Sequence, residues 1–136
     1  MKSVLISIQP YWVNKIASGE KTIEVRKTRP KLETPFKCYI YCTIGNGVKG
    51  DYLVPSGIQC GKVIGEFFCR GMMDGSAYLL PKQSCLTIDE ILDYAKGKRV
   101  YGWRIADFKI YDKPKELSEF YRAEPREAWT DSDMCC

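Results

Sequence analysis

A lysine, a glutamate and an arginine stand close together in the segment SGEKTIEVRK, at Lys21, Glu24 and Arg26. Lys21 and Arg26 supply charged donors for phosphate or for base acceptors, and Glu24 can accept from an exocyclic amine or orient Arg26. The same set permits a hydrolysis in which Glu24 acts as general base on a water and Lys21 stabilises a developing oxyanion. Lys21 and Glu24 are therefore the candidate catalytic residues if the protein is an enzyme. The ordinary alternative is an ion-pair network that serves the fold alone. Recognition of a polar ligand is better supported than any one reaction, and whether the chain is an enzyme is left open.

These side chains sit where a helix hands over to a strand, which makes a rigid mounting for charge. Pro10 suits a first helical turn, so a helix is predicted from Pro10 to Ser18, with Gly19 as its left-handed stop. Val13, Ile16 and Ala17 fall on its buried face, with Trp12 and Lys15 nearer the margin. Its first turn offers backbone N–H groups to an anion. Thr22 to Val25 reads as the strand that follows, with Thr22, Glu24 and Arg26 on one face and Ile23 and Val25 on the other.

Further strands are predicted at Val4–Ile8, Phe36–Thr43, Lys62–Cys69 and Trp103–Tyr111. Thr87 and Glu90 form a capping box, and Leu86 and Ile91 a hydrophobic staple, at the start of a second helix that ends near Lys96 before Gly97. Between strands lie the glycine-rich stretch Gly45–Gly61, read as a binding loop or lid carrying Lys49 and Tyr52, and the less readable Gly71–Ser84. Five strands and two principal helices make an α+β domain with a small curved mixed β-sheet or β-barrel and flanking helices.

The chain has 136 residues, 45% hydrophobic and 28% charged, enough for one core. Residues 1–112 are assigned to that domain and 113–136 to a C-terminal extension packed on it or trailing from it. No apolar run is long enough for a membrane helix, and the start reads into a strand rather than a signal peptide, so a cytoplasmic protein is expected. Of the seven cysteines, Cys38 and Cys42 alternate with Ile40 as small buried hydrophobes. The odd number argues against a disulfide framework. Without a CxxC pair or any histidine, no metal is expected, and no cofactor is implied. The net charge of +4 is uneven: residues 1–37 hold eight Lys/Arg against three Asp/Glu, and residues 109–136 five against seven. Positive charge thus gathers near the candidate site, especially in the loop Arg26–Lys31.

Gly19, Lys21, Glu24 and Arg26 match GxKxxExR, and in this the chain resembles the ASCH family of the PUA-like superfamily. The resemblance extends through LISIQPYWVNKI, GKVIGEF and YGWRIADFKIY, about residues 3 to 112. It implies a small β-barrel with flanking helices and a charged cleft proposed to bind RNA or a nucleotide-like ligand. Carried over, it implicates Lys21, Glu24 and Arg26, with Gly19 shaping the turn. Gln9, Tyr41 and Arg104 are expected as neighbours, Arg104 if its strand closes beside the first, and Trp12 and Tyr41 as surfaces on which a base stacks.

The leading expectation is a module that binds single-stranded RNA or a modified nucleotide or nucleoside. A second is a small amidohydrolase acting on an acylated nucleoside. Some ASCH-type enzymes resemble this chain in scaffold and deacylate N4-acetylcytidine with a lysine, a threonine and a glutamate. Lys21 matches the lysine, Glu24 stands at the threonine position, and the glutamate position falls around Ser84. A third is a regulatory protein-interaction domain using the long loop and the tail Glu124–Trp129. Oligomeric state is not legible.

Overall fold

Alternating or continuous apolar runs pair into one five-stranded sheet in the order β1-β3-β4-β5-β2. The strands are β1 (Ser3–Ile8), β2 (Ile23–Arg26), β3 (Phe36–Cys42), β4 (Lys62–Gly75) and β5 (Val100–Lys115). The computed structural model describes residues 3–43, 61–75 and 81–123. Most of the expected loop Gly45–Gly61, with Lys49 and Tyr52, lies outside the described residues, as does the tail Glu124–Trp129. β1 pairs with β3 in parallel and every other pairing is antiparallel. The result is an α+β fold in which a mixed sheet curves into a half-barrel with helices at its flanks.

Helix α1 (Pro10–Ala17) begins at the proline and ends where Gly19 takes a φ of +83°, a conformation in which a Cβ would be strained. Val13 and Ile16 enter the core, but Ala17 is exposed, because it falls just past the buried stripe of a helix this short. The backbone N–H groups of Trp12 and Val13 both donate to the Gln9 carbonyl at 3.0 Å. Two donors of the first turn are thus directed inward onto Gln9, and Pro10 supplies none.

α3 (Ile88–Ala95) starts on the predicted capping box: Thr87 Oγ1 accepts from the Glu90 N–H at 3.1 Å, and Glu90 Oε1 accepts from the Thr87 N–H at 3.0 Å. Among the described residues there are two further short helices, α2 (Pro81–Ser84) and α4 (Leu117–Ala123).

The main core is built from β1, β3, β4, β5 and α1, with Val4, Ile6, Ile40, Ile64, Phe67 and Trp103 almost wholly excluded from water. Each such side chain contributes about 1.5–3 kcal/mol on burial. Leu5, Val63 and Phe120 form a separate cluster on the opposite face, closed by Tyr39, Tyr41 and Tyr111. Phe120 belongs to α4, and β5 runs unbroken across position 112. The segment after 112 is thus joined to the sheet by a strand, and the 112/113 boundary falls inside β5.

The sheet bends because its alternation is interrupted. Between Ile40 and Tyr41 the β3–β4 register slips, so that Ile64 is left over and both Ile64 and Phe67 face the core. β4 and β5 slip against each other at three further points. Gly65 lies at this bend, where a Cβ would stand 2.4 Å from the Lys109 carbonyl oxygen.

Candidate functional site: a cleft at the sheet seam

β1 and β2 are the two edges of the sheet, and the candidate site lies between them. β2 points Ile23 and Val25 into a small cluster with Ile91, Ala95 and Val100, and so turns Glu24 and Arg26 toward β1. Lys21 reaches the same place from just ahead of the strand.

All three charged side chains are buried, at 3%, 8% and 2% residual exposure for Lys21, Glu24 and Arg26. They survive burial because each is paired. Lys21 Nζ lies 3.4 Å from Glu24 Oε1, and Glu24 Oε2 accepts from Arg26 Nε at 3.0 Å and Nη2 at 2.9 Å. Lys21 also donates to the Ser84 carbonyl at 2.7 Å, while Arg26 donates across the seam to the Ser7 carbonyl. A side-chain hydrogen bond thus links the two edge strands, which share no backbone ladder among the described residues.

A cleft of about 400 Å³ opens on this network. α1 and the end of β1 contribute Ile8, Gln9 and Trp12. The opposite wall comes from the segment leading through α3, with Leu86, Glu90, Asp93 and Tyr94. The Lys21 ammonium stands 5.1 Å from the centre of the Trp12 ring, a cation–π contact. Of its three N–H donors, two serve Ser84 and Glu24, which leaves one for a ligand.

The charge balance in the cleft differs from that of the chain. Two cations, Lys21 and Arg26, face three carboxylates, Glu24, Glu90 and Asp93. Both cations already share Glu24. A phosphate would meet more negative than positive charge here, whereas a neutral molecule rich in donors would meet acceptors on Gln9, Glu90 and Asp93.

No protein-family model matches the chain, and no curated protein sequence does. Solved structures do. The ASCH protein of Zymomonas mobilis superposes with a TM-score of 0.62 at 22% identity, covering 85% of this chain and 73% of that one. A tyrosine-to-phenylalanine variant of it gives 0.62 at 21%, covering 87% and 78%, and a serine-to-alanine variant gives 0.64 at 20%, covering 87% and 77%. The fold is that of the ASCH domain.

Within this ASCH fold, Gln9, Trp12, Lys21, Glu24 and Arg26 all line the one cleft. Tyr41 does not. Alternation along β3 sends Cys38, Ile40 and Cys42 into the main core and leaves Tyr41 on the far face, against Leu5, Val63 and Phe120. Arg104 is also placed elsewhere. β5 pairs with β2, not β1, so Arg104 sits opposite Ile23; Trp103 points into the core and its neighbour Arg104 outward to solvent.

Thr22 is exposed, and its backbone is engaged with Gln83 and Ile105. Glu66 lies outside the cleft, hydrogen-bonded by Tyr111 at 2.7 Å and paired with Lys37 at 3.2 Å. Ile8, Val25, Leu86, Glu90, Asp93 and Tyr94 line the cleft without having been expected there. The capping box fixes the phase of α3, and with it a shared face for Glu90, Asp93 and Tyr94, but nothing local says which partner that face meets. Among the described residues no group of three His, Cys, Asp or Glu is placed to hold a metal ion.

Proposed function

We propose that this protein is a recognition module for nucleic-acid components, and that its cleft takes one modified base or nucleoside. The observation that carries the reading is the cleft itself: one small-molecule volume, an aromatic wall at Trp12 and Tyr94, a single spare Lys21 donor and an excess of carboxylate acceptors. A base has a π-face for the aromatic wall, ring acceptors for Lys21, and amine or hydroxyl donors for Glu90 and Asp93. A cytoplasmic location is part of the same proposal.

Hydrolysis of an acylated nucleoside is the weaker reading. Both Glu24 oxygens are committed to ion pairs, and around Ser84, where the resemblance to deacylating ASCH-type enzymes implies a glutamate, Lys21 meets a backbone carbonyl.

The test is calorimetric titration with a panel of plain and modified nucleosides, including N4-acetylcytidine, in the presence and absence of orthophosphate. A nucleoside is expected to bind with phosphate failing to compete. Binding of phosphate in place of nucleosides would overturn the proposal. Chromatography of the N4-acetylcytidine sample decides the second reading, since appearance of cytidine would establish catalysis.

A further inference from the structure

The chain's excess positive charge is not in the cleft but beside it. β2 runs out at Arg26, whose register partner on β5 is Tyr101, so the loop after β2 and the turn before β5 lie side by side. Lys27 and Arg29 project from the first, Lys98 and Arg99 from the second, and all four are exposed. Two tyrosines interleave with them. Lys27 Nζ lies 4.7 Å from the centre of the Tyr94 ring, while the Arg29 and Arg99 guanidinium groups lie 5.8 and 5.9 Å from that of Tyr101.

Three details make this more than a solvated charge run. The loop is held at its middle, because the indole N–H of the buried Trp103 donates to the Thr28 carbonyl at 3.1 Å. Lys27 and Arg29 therefore flank a fixed point. Among the described residues, neither is in an ion pair. Tyr94, which carries Lys27, is also a wall of the cleft.

We propose that this band is a track for the phosphodiester backbone of single-stranded RNA, running past Arg99, Arg29 and Lys27 to the cleft mouth at Tyr94. The inference rests on the cleft reading above and extends it from a free nucleoside to a base presented by a strand. Cations at the track bind phosphates without reading sequence, and the cleft, too acidic for phosphate, takes the unpaired base. A duplex cannot deliver a base in this way without unpairing it. An anionic membrane would engage the same cations but has no base to place in the cleft.

The test is fluorescence anisotropy with labelled decauridylate at several KCl concentrations, comparing the wild-type protein with Lys27→Gln/Arg29→Gln and with the charge-conserving Lys27→Arg/Arg29→Lys. The glutamine variant is expected to bind at least about tenfold more weakly at low salt, with the slope of log affinity against log salt shallower by about 1.4, two phosphate contacts fewer on a single strand. The conserving variant is expected to retain binding. Equal affinity and slope in the glutamine variant would overturn the track, as would wild-type protein that ignores decauridylate and binds phosphatidylserine vesicles. Nucleoside titration of the same proteins separates the two readings. A track lost with nucleoside binding intact leaves the cleft standing, and salt-dependent RNA binding without nucleoside binding leaves the track standing alone.

Discussion

The Lys21 ammonium donates to the Ser84 carbonyl at 2.7 Å, across 63 positions of sequence. The neighbouring Thr22 N–H donates to the Gln83 carbonyl at 2.8 Å, so two consecutive residues ahead of β2 are tied to α2. Lys21 is therefore a structural member of the site as well as a candidate ligand contact.

Lys21→Ala is expected to cost about 3 kcal/mol, because it strands Glu24 beside a single cation and leaves the Ser84 carbonyl without its donor. Urea unfolding measures this directly. A loss under about 1 kcal/mol would mean that the network contributes little to the fold. Binding assays on this variant need that stability measurement alongside them.

Trp12→Ala is expected to weaken nucleoside binding about tenfold, the lower part of the range for loss of one base-stacking surface. Trp12→Phe keeps a ring and is expected to keep most of the affinity. Calorimetry on the pair distinguishes stacking from simple loss of packing, which the phenylalanine would also partly restore, by requiring that urea midpoints of the two variants be compared with their affinities.

Gly65→Ala is expected to destabilise the protein by about 2 kcal/mol. The added Cβ would meet the Lys109 carbonyl at 2.4 Å, and the obstacle is backbone rather than a movable side chain. A thermal midpoint unchanged from wild type would show that β4 and β5 can part at this point without penalty.

The Glu66–Tyr111 pair sets a pH dependence. Burial works against the Glu66 carboxylate, but the Tyr111 hydroxyl and Lys37 outweigh it and hold the group below its ordinary 4.5. Burial, reinforced by Glu66, pushes the Tyr111 hydroxyl up from its ordinary 10.0. The Glu66 contribution is present above the unfolded carboxylate value and disappears as pH falls through the lowered folded one. The Tyr111 contribution is present below its unfolded value and disappears as pH rises beyond it. Stability from this pair is thus level between about pH 5 and 9 and declines on both sides. Tyr111→Phe is expected to lose about 1 kcal/mol at neutral pH and to flatten the alkaline decline; an alkaline limb identical to wild type in urea titrations would refute the assignment.

Thr87→Ala is expected to cost about 1 kcal/mol by removing one half of the capping box. Because Glu90 is the other half and also lines the cleft, nucleoside affinity should fall with it. Circular dichroism and calorimetry on one preparation read the two effects together.

The strands, α1, α3 and the company kept by Lys21, Glu24 and Arg26 were legible because each rests on local signals: Pro10 and Gly19 bracket one helix, Thr87 and Glu90 start the other, and period-two alternation sorts β2. β4 and β5 proved longer than expected. Bulges near Ile64 and the slips between β4 and β5 break the alternation that marks a strand, and the far half of β5 has no fully buried position. Tyr41 and Arg104 were misplaced for a different reason. Which face of a strand meets the cleft depends on strand order, and an order with β1 and β2 at opposite edges leaves no mark in any short window of sequence.

The Arg26 link to Ser7 has one more consequence, for self-association. β1 is a sheet edge: four of its six residues are apolar, and among the described residues its only backbone ladder is with β3. A strand of that kind is a template for a second chain. By spanning the seam, the guanidinium occupies the approach to that template, so substitutions at Arg26 are expected to be recovered as aggregates before they are recovered as non-binders.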